Sequence, residues 1–121
     1  MEQQFSLTSE VREGTLVIAT AGYVNNVGGE AIAAEFTRQY AAGIRTVVVN
    51  LGGSKVVNSV GMSFLIEIIE RLQETGGKIF FTNLDPAVEK MLAIMGLFQF
   101  AGKAPSVEAA LLDLAASGGA Q

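Results

Sequence analysis

The sequence predicts an α/β fold: one mixed β-sheet of about four to five strands opening with a β-hairpin, together with about four α-helices. Three observations carry that prediction. Two strand-like segments stand at the start with no helix between them. Short β-branched runs then alternate with amphipathic segments, and glycines mark nearly every change from one periodicity to the other. The length of 121 residues suits a single domain spanning 1–121, since two would each be short of core.

Residues 5–11 alternate Phe5, Leu7, Ser9 and Val11, and Arg12-Glu13-Gly14 offers a turn into Leu16-Val17-Ile18-Ala19. Together they read as the hairpin. Residues 22–29 read as a polar, glycine-bearing loop. Ile32, Phe36 and Tyr40 then recur at a four-residue step among Glu30, Glu35, Arg38 and Gln39, which predicts an amphipathic helix closing near Gly43. Residues 44–51 form a β-branched run bounded by Gly43 and Gly52-Gly53, as expected of a central strand covered on both faces. After a loop over 52–58, a helical pattern occupies 59–75 and stops at Gly76-Gly77. Residues 78–83 read as the next strand. Asp85-Pro86 supplies an N-cap and a proline in the first turn, and Val88, Met91, Leu92 and Met95 make the apolar stripe of a helix ending at Gly96. Phe98-Gln99-Phe100 reads as a short last strand. Pro105-Ser106 opens a final helix with Val107, Ala110, Leu111 and Leu114 on one side, and residues 116–121 read as a frayed tail. An opening pair of strands and the lack of a Gly-x-Gly-x-x-Gly run argue against a dinucleotide-binding fold.

Composition removes most chemistry. The chain is 50% apolar and 17% charged, so it should fold, and its net charge of −4 provides no positive field for nucleic acid or an anionic membrane. It contains no Cys, His or Trp, which excludes disulfides, Cys/His zinc sites, Ser-His-Asp triads and thiol nucleophiles. Only Asp85 and Asp113 accompany the glutamates, which fall mostly where helices would face water, so an acid/base carboxylate pair is hard to assemble. Neither a basic signal-peptide start nor a membrane-length apolar run is present, and the expectation is a cytoplasmic protein with no cofactor and no enzymatic activity.

Gly52-Gly53-Ser54-Lys55 follows a strand, yet a phosphate loop needs a longer glycine loop with Lys directly before Ser/Thr. A flexible connection is the better reading. A phosphorelay receiver site fails as well, because Asn50 ends the central strand where an acidic cluster is required. The start of the second helix is different. Asn58 and Ser59 are both good N-cap types, and unpaired backbone N–H groups reinforced by the helix dipole favour an anion there. At about 100° per residue, Met62, Leu65, Ile66, Ile69 and Leu72 gather on one side of this helix. Ser63, Glu67, Glu70, Arg71 and Glu74 occupy the other, with Val60 inside the polar arc, Phe64 at its edge and Ile68 flanking them. An apolar strip beside a modifiable hydroxyl suits a protein–protein contact.

These residues resemble the STAS family, the domain of bacterial anti-sigma-factor antagonists and of sulfate-transporter tails. The resemblance runs through the hairpin, the strand Val47-Val48-Val49-Asn50-Leu51, the helix opening Asn58-Ser59-Val60-Gly61-Met62, Gly76-Gly77 and Gly96-Leu97-Phe98. It implies a single STAS-like domain and makes Ser59 the phosphoacceptor, with Asn25, Asn58, Ser59, Val60, Met62, Ser63 and Phe64 as the partner-binding set. It also implies two partners, an anti-sigma factor that is itself a Ser kinase and a metal-dependent Ser/Thr phosphatase that resets the switch. The kinase would supply ATP and catalytic base. The sequence departs from the family pattern at Asn25, Asn50 and Asn58, where Asp is common, and at Val60, where a second hydroxyl is usual. Beside the antagonist reading stand a STAS scaffold that is never phosphorylated and, with less support, a small nucleotide or phosphometabolite binder.

Overall fold

Strands β1 (Ser6–Arg12) and β2 (Thr15–Ala21) pair antiparallel with Arg12 opposite Thr15. The two residues between them, Glu13 and Gly14, both take left-handed backbone angles, φ 51° and 85°. A two-residue turn of that hand matches the twist of the paired strands, which is why the sequence turns there. The computed structural model describes residues 4–119. After the hairpin come α1 (Asn26–Ala41), β3 (Thr46–Gly53), α2 (Ser59–Glu74), β4 (Lys78–Thr82), α3 (Pro86–Ile94), a 3-10 turn (Leu97–Gln99), β5 (Gly102–Ala104) and α4 (Val107–Gly119). The five strands lie in the order β1-β2-β3-β4-β5, and every pair after the first is parallel.

Alternation along the strands builds two cores. Leu16, Ile18, Val47, Val49 and Phe81 face α1, α2 and α3, where they meet Ile32, Phe36, Leu65 and Leu92. Val17, Val48 and Phe80 point the other way, onto Val107, Ala110 and Leu114 of α4. Strand β3 is therefore covered on both faces, as its unbroken valine run predicts.

Four expectations need correction. The segment 22–29 is not all loop: α1 starts at Asn26, and Gly28 and Gly29 lie inside it. A side chain on Gly29 would collide with Phe64 of α2, so close helix packing outweighs the low helix propensity of glycine. Phe98-Gln99-Phe100 is not a strand. Leu97 and Ala101 are the core anchors there, a helical spacing of four, and the last strand begins later at Gly102, where Phe80 of β4 leaves no room for a Cβ. The stripe of α3 is narrower than the spacing suggests, since Val88 and Leu92 are buried while Met91, Ile94 and Met95 are exposed. Ile68 is core, because α1 crosses that flank of α2. Helix α4 continues through Gly119; of the tail expected to fray, residues 120–121 lie outside the described residues.

Glu35 clips α1 to the edge strand. Its carboxylate accepts hydrogen bonds from Arg38, Gln39 and Ser9 of β1, at 2.7 Å for Ser9. The Arg38 hydrogen bond holds the Glu35 carboxyl below its ordinary value of 4.5, with burial opposing and Ser9 assisting. The stabilisation from a lowered carboxyl is complete above the unfolded-state value and is lost as pH falls through the folded one. In thermal melts, the stability advantage of the protein over Glu35→Gln should thus be flat near neutrality and shrink steadily below about pH 4.5; a constant gap down to pH 2.5 would contradict the network. Thr82 makes a second case, fully buried with a hydroxyl that has no hydrogen-bond partner among the described residues. Thr82→Val should leave stability unchanged or raise it by about 1 kcal/mol in urea denaturation.

Candidate functional site

Two loops leave neighbouring strands at the same end of the sheet and are stitched together. Gly22 N–H donates to the Gly53 carbonyl at 2.9 Å, Val24 N–H to Val56 at 3.0 Å, and Asn58 N–H to Val24 at 3.1 Å, with Val24 and Val57 forming a parallel bridge. Beneath them Ser54 is fully buried, its hydroxyl 2.7 Å from that of Thr20. That pairing uses the Ser54 hydroxyl internally and leaves no phosphate loop at residues 52–55.

The stitch sets the openings of α1 and α2 side by side. Asn25 caps α1, its side-chain oxygen accepting from Val27 N–H at 3.0 Å and Gly28 N–H at 3.1 Å. Asn58 caps α2 by accepting from Gly61 N–H at 2.8 Å. Asn50 performs a similar local task, accepting from Gly52 N–H at 2.8 Å at the end of β3. All three are thus engaged as acceptors where a carboxylate would serve equally, and the local geometry is kept with the charge removed. Neither helix carries an acidic residue in its first turn, so the positive ends of the two dipoles are not offset by local carboxylates.

Ser59 is the first residue of α2 and is exposed, and among the described residues no hydrogen bond occupies its hydroxyl. Ser63 differs, since its hydroxyl donates back to the carbonyls of Ser59 and Val60 at 3.0 Å each. The structure therefore brings Asn25, Asn58, Ser59, Val60 and Ser63 to one surface. It removes Met62, which is 1% exposed and belongs to the core, and it leaves Phe64 only half accessible, packed over Gly29. Residues that the sequence reading missed complete the surface. Tyr23, Val27 and Val56 are 40%, 60% and 53% exposed and join Val60 at 45%, all in these two loops and the first helical turns. The signal lay in the bridge: Val24 and Val57 turn inward, which sends their neighbours Tyr23 and Val56 outward.

Residues 6–110 match the STAS domain. The chain belongs to the STAS family. Its fold is similar to that of an anti-sigma factor antagonist from Mycobacterium paratuberculosis, at 21% identity over 91% of this chain and 93% of the other, with a TM-score of 0.80. It is also similar to the anti-sigma factor antagonist SpoIIAA in its unphosphorylated form, at 23% identity, 92% and 96% coverage and a TM-score of 0.76. The phosphorylated form of the Bacillus SpoIIAA gives 21% identity, 92% and 99% coverage and a TM-score of 0.72. Within the described residues of this STAS domain, no group of three or more Asp or Glu could hold a metal ion, and no helix is long and apolar enough to cross a membrane.

The stitched loops make Gly61 the packing constraint of the site. A Cβ there would sit 2.2 Å from the Val24 carbonyl oxygen, a clash with backbone that cannot swing aside. Gly61→Ala, which in an open helix would gain up to about 1 kcal/mol, should instead destabilise the domain by about 1–3 kcal/mol in urea titration. Higher stability would show that the loops and α2 are not held this closely.

Proposed function

We propose that this STAS domain is a cytoplasmic, non-enzymatic anti-sigma-factor antagonist that acts by partner switching. Unmodified, it binds an anti-sigma factor with Ser kinase activity; phosphorylation of Ser59 releases it, and a metal-dependent Ser/Thr phosphatase restores the binding form. The observation that carries this reading is the free Ser59 hydroxyl at a helix opening, set among Tyr23, Val27, Val56 and Val60. Apolar side chains exposed around one hydroxyl favour a dry contact with a partner. A phosphoryl group would add about −1.5 to −2 charges at the centre of that contact. The helix opening tolerates the charge in the free protein, whereas a partner seated over it must desolvate a dianion. A hundredfold loss of affinity requires about 2.7 kcal/mol, which such desolvation readily supplies. The fold-level likeness to SpoIIAA, known in unphosphorylated and phosphorylated forms, supports the same reading.

The neutral amides at Asn25, Asn50 and Asn58 favour a second reading, a scaffold in which Ser59 only opens the helix, because a kinase would meet no carboxylates there. Incubation with the cognate anti-sigma-factor kinase and MgATP, followed by peptide mass spectrometry, should place one phosphoryl group on Ser59 and none on Ser63. In pull-downs with that factor, Ser59→Ala should bind as the unmodified protein does and Ser59→Asp at least tenfold more weakly. Equal binding by the two variants, with no phosphate incorporated, would replace the switch with the scaffold.

A further inference from the structure

The other end of the sheet holds a cleft of about 790 Å³ between α4 and the starts of β2, β3 and β4. That volume lies within the range of small-molecule sites. The strand register sets Thr15 beside Thr46 and Thr46 beside Lys78. These positions share the face of Val17, Val48 and Phe80, so two hydroxyls and an ammonium interrupt an otherwise apolar surface at one level. Thr15 is 7% exposed and lines the cleft, and its hydroxyl has no hydrogen-bond partner among the described residues. Among the described residues only the Thr82 hydroxyl is sealed from solvent without a partner, so that of Thr15 reaches the cleft, where it can donate to a bound group.

Charge and wall chemistry narrow what that group is. Arg45 is committed elsewhere, donating to the Tyr40 and Ile44 carbonyls at 2.8 and 2.9 Å and stacking 3.6 Å over the Tyr40 ring. Arg12 faces Glu108 at 3.6 Å. Lys78 has no ion-pair partner among the described residues, although the chain carries a net charge of −4. Opposite the polar row, α4 offers Leu111, Leu114 and Leu112, the last 72% exposed with no packing reason for it.

We infer that this cleft binds an amphiphilic monoanion, a carboxylate with a short aliphatic tail. The carboxylate accepts from Thr15 and Thr46 and pairs with Lys78, while the tail lies along the leucines of α4. One uncommitted cation with Glu13 and Glu108 at the rim suits a single negative charge better than a phosphate dianion. The site is separate from Ser59. Strand β3 has eight residues, which puts the two ends about 25 Å apart, and the inference stands whatever the fate of Ser59.

Titration of the isotope-labelled full chain with octanoate, followed by amide NMR, tests it. Saturable shifts are expected at Thr15, Thr46, Lys78 and Leu112, with a dissociation constant of about 1 mM or tighter and Ser59 unmoved. Thr15→Val keeps the side-chain shape and Lys78→Met alters an exposed position, so both should retain the native spectrum and weaken octanoate about tenfold. Three results would each overturn the inference: unsaturated drift up to about 10 mM, octanol binding as tightly as octanoate, or undiminished affinity in both variants.

Discussion

The Val24–Val57 bridge is the constraint on which the Ser59 end of the molecule depends. Without it, the loops after β2 and β3 would be independent connections, and the openings of α1 and α2 would have no fixed relation. Three backbone hydrogen bonds and the missing Cβ of Gly61 bring the start of α2 against the loop that precedes α1. The buried Thr20–Ser54 hydroxyl pair fixes the floor. Rigid placement of a surface hydroxyl is what a protein needs if another protein is to read whether it is modified, because a mobile one would present no single surface.

Amides rather than carboxylates stand at both helix openings of that end without disturbing the architecture. An amide oxygen satisfies a helix-opening N–H as well as a carboxylate oxygen does, so Asn25 and Asn58 cap their helices by ordinary hydrogen bonds. What is given up is long-range field. With no carboxylate in either first turn, the surface around Ser59 is apolar and carries the unneutralised positive ends of two helices. Capping and surface charge are thereby separable here, since the cap rests on the acceptor atom and not on its charge.

The two ends of the parallel strands also have different characters. At the strand ends followed by α1 and α2, main-chain groups are consumed by the stitched loops and apolar side chains face outward. At the opposite ends, Thr15, Thr46 and Lys78 form a polar row under the leucines of α4. Because β3 is buried on both faces from Val47 to Val49, the two ends are joined through packed interior.

Much of this was legible without coordinates because it is local. The 3.6-residue and two-residue periods, the Glu13-Gly14 turn, the Asp85-Pro86 cap and the Asn58-Ser59 helix opening are encoded by residues close together in the chain, and each appears where the sequence puts it. What stayed hidden depends on partners distant in sequence. Gly28 and Gly29 look like loop residues until Phe5 and Phe64 are seen pressing on them, and Phe98 to Phe100 looks like a strand until Leu97 and Ala101 take the core positions. Met62 is buried and Tyr23, Val27 and Val56 are presented because one helix lies across another and one loop bridges its neighbour. The chain by itself therefore determined most of its elements, its class and the serine at the helix opening. Only tertiary packing decided which side chains share that serine's surface, because exposure is set by contacts between segments that no local period records.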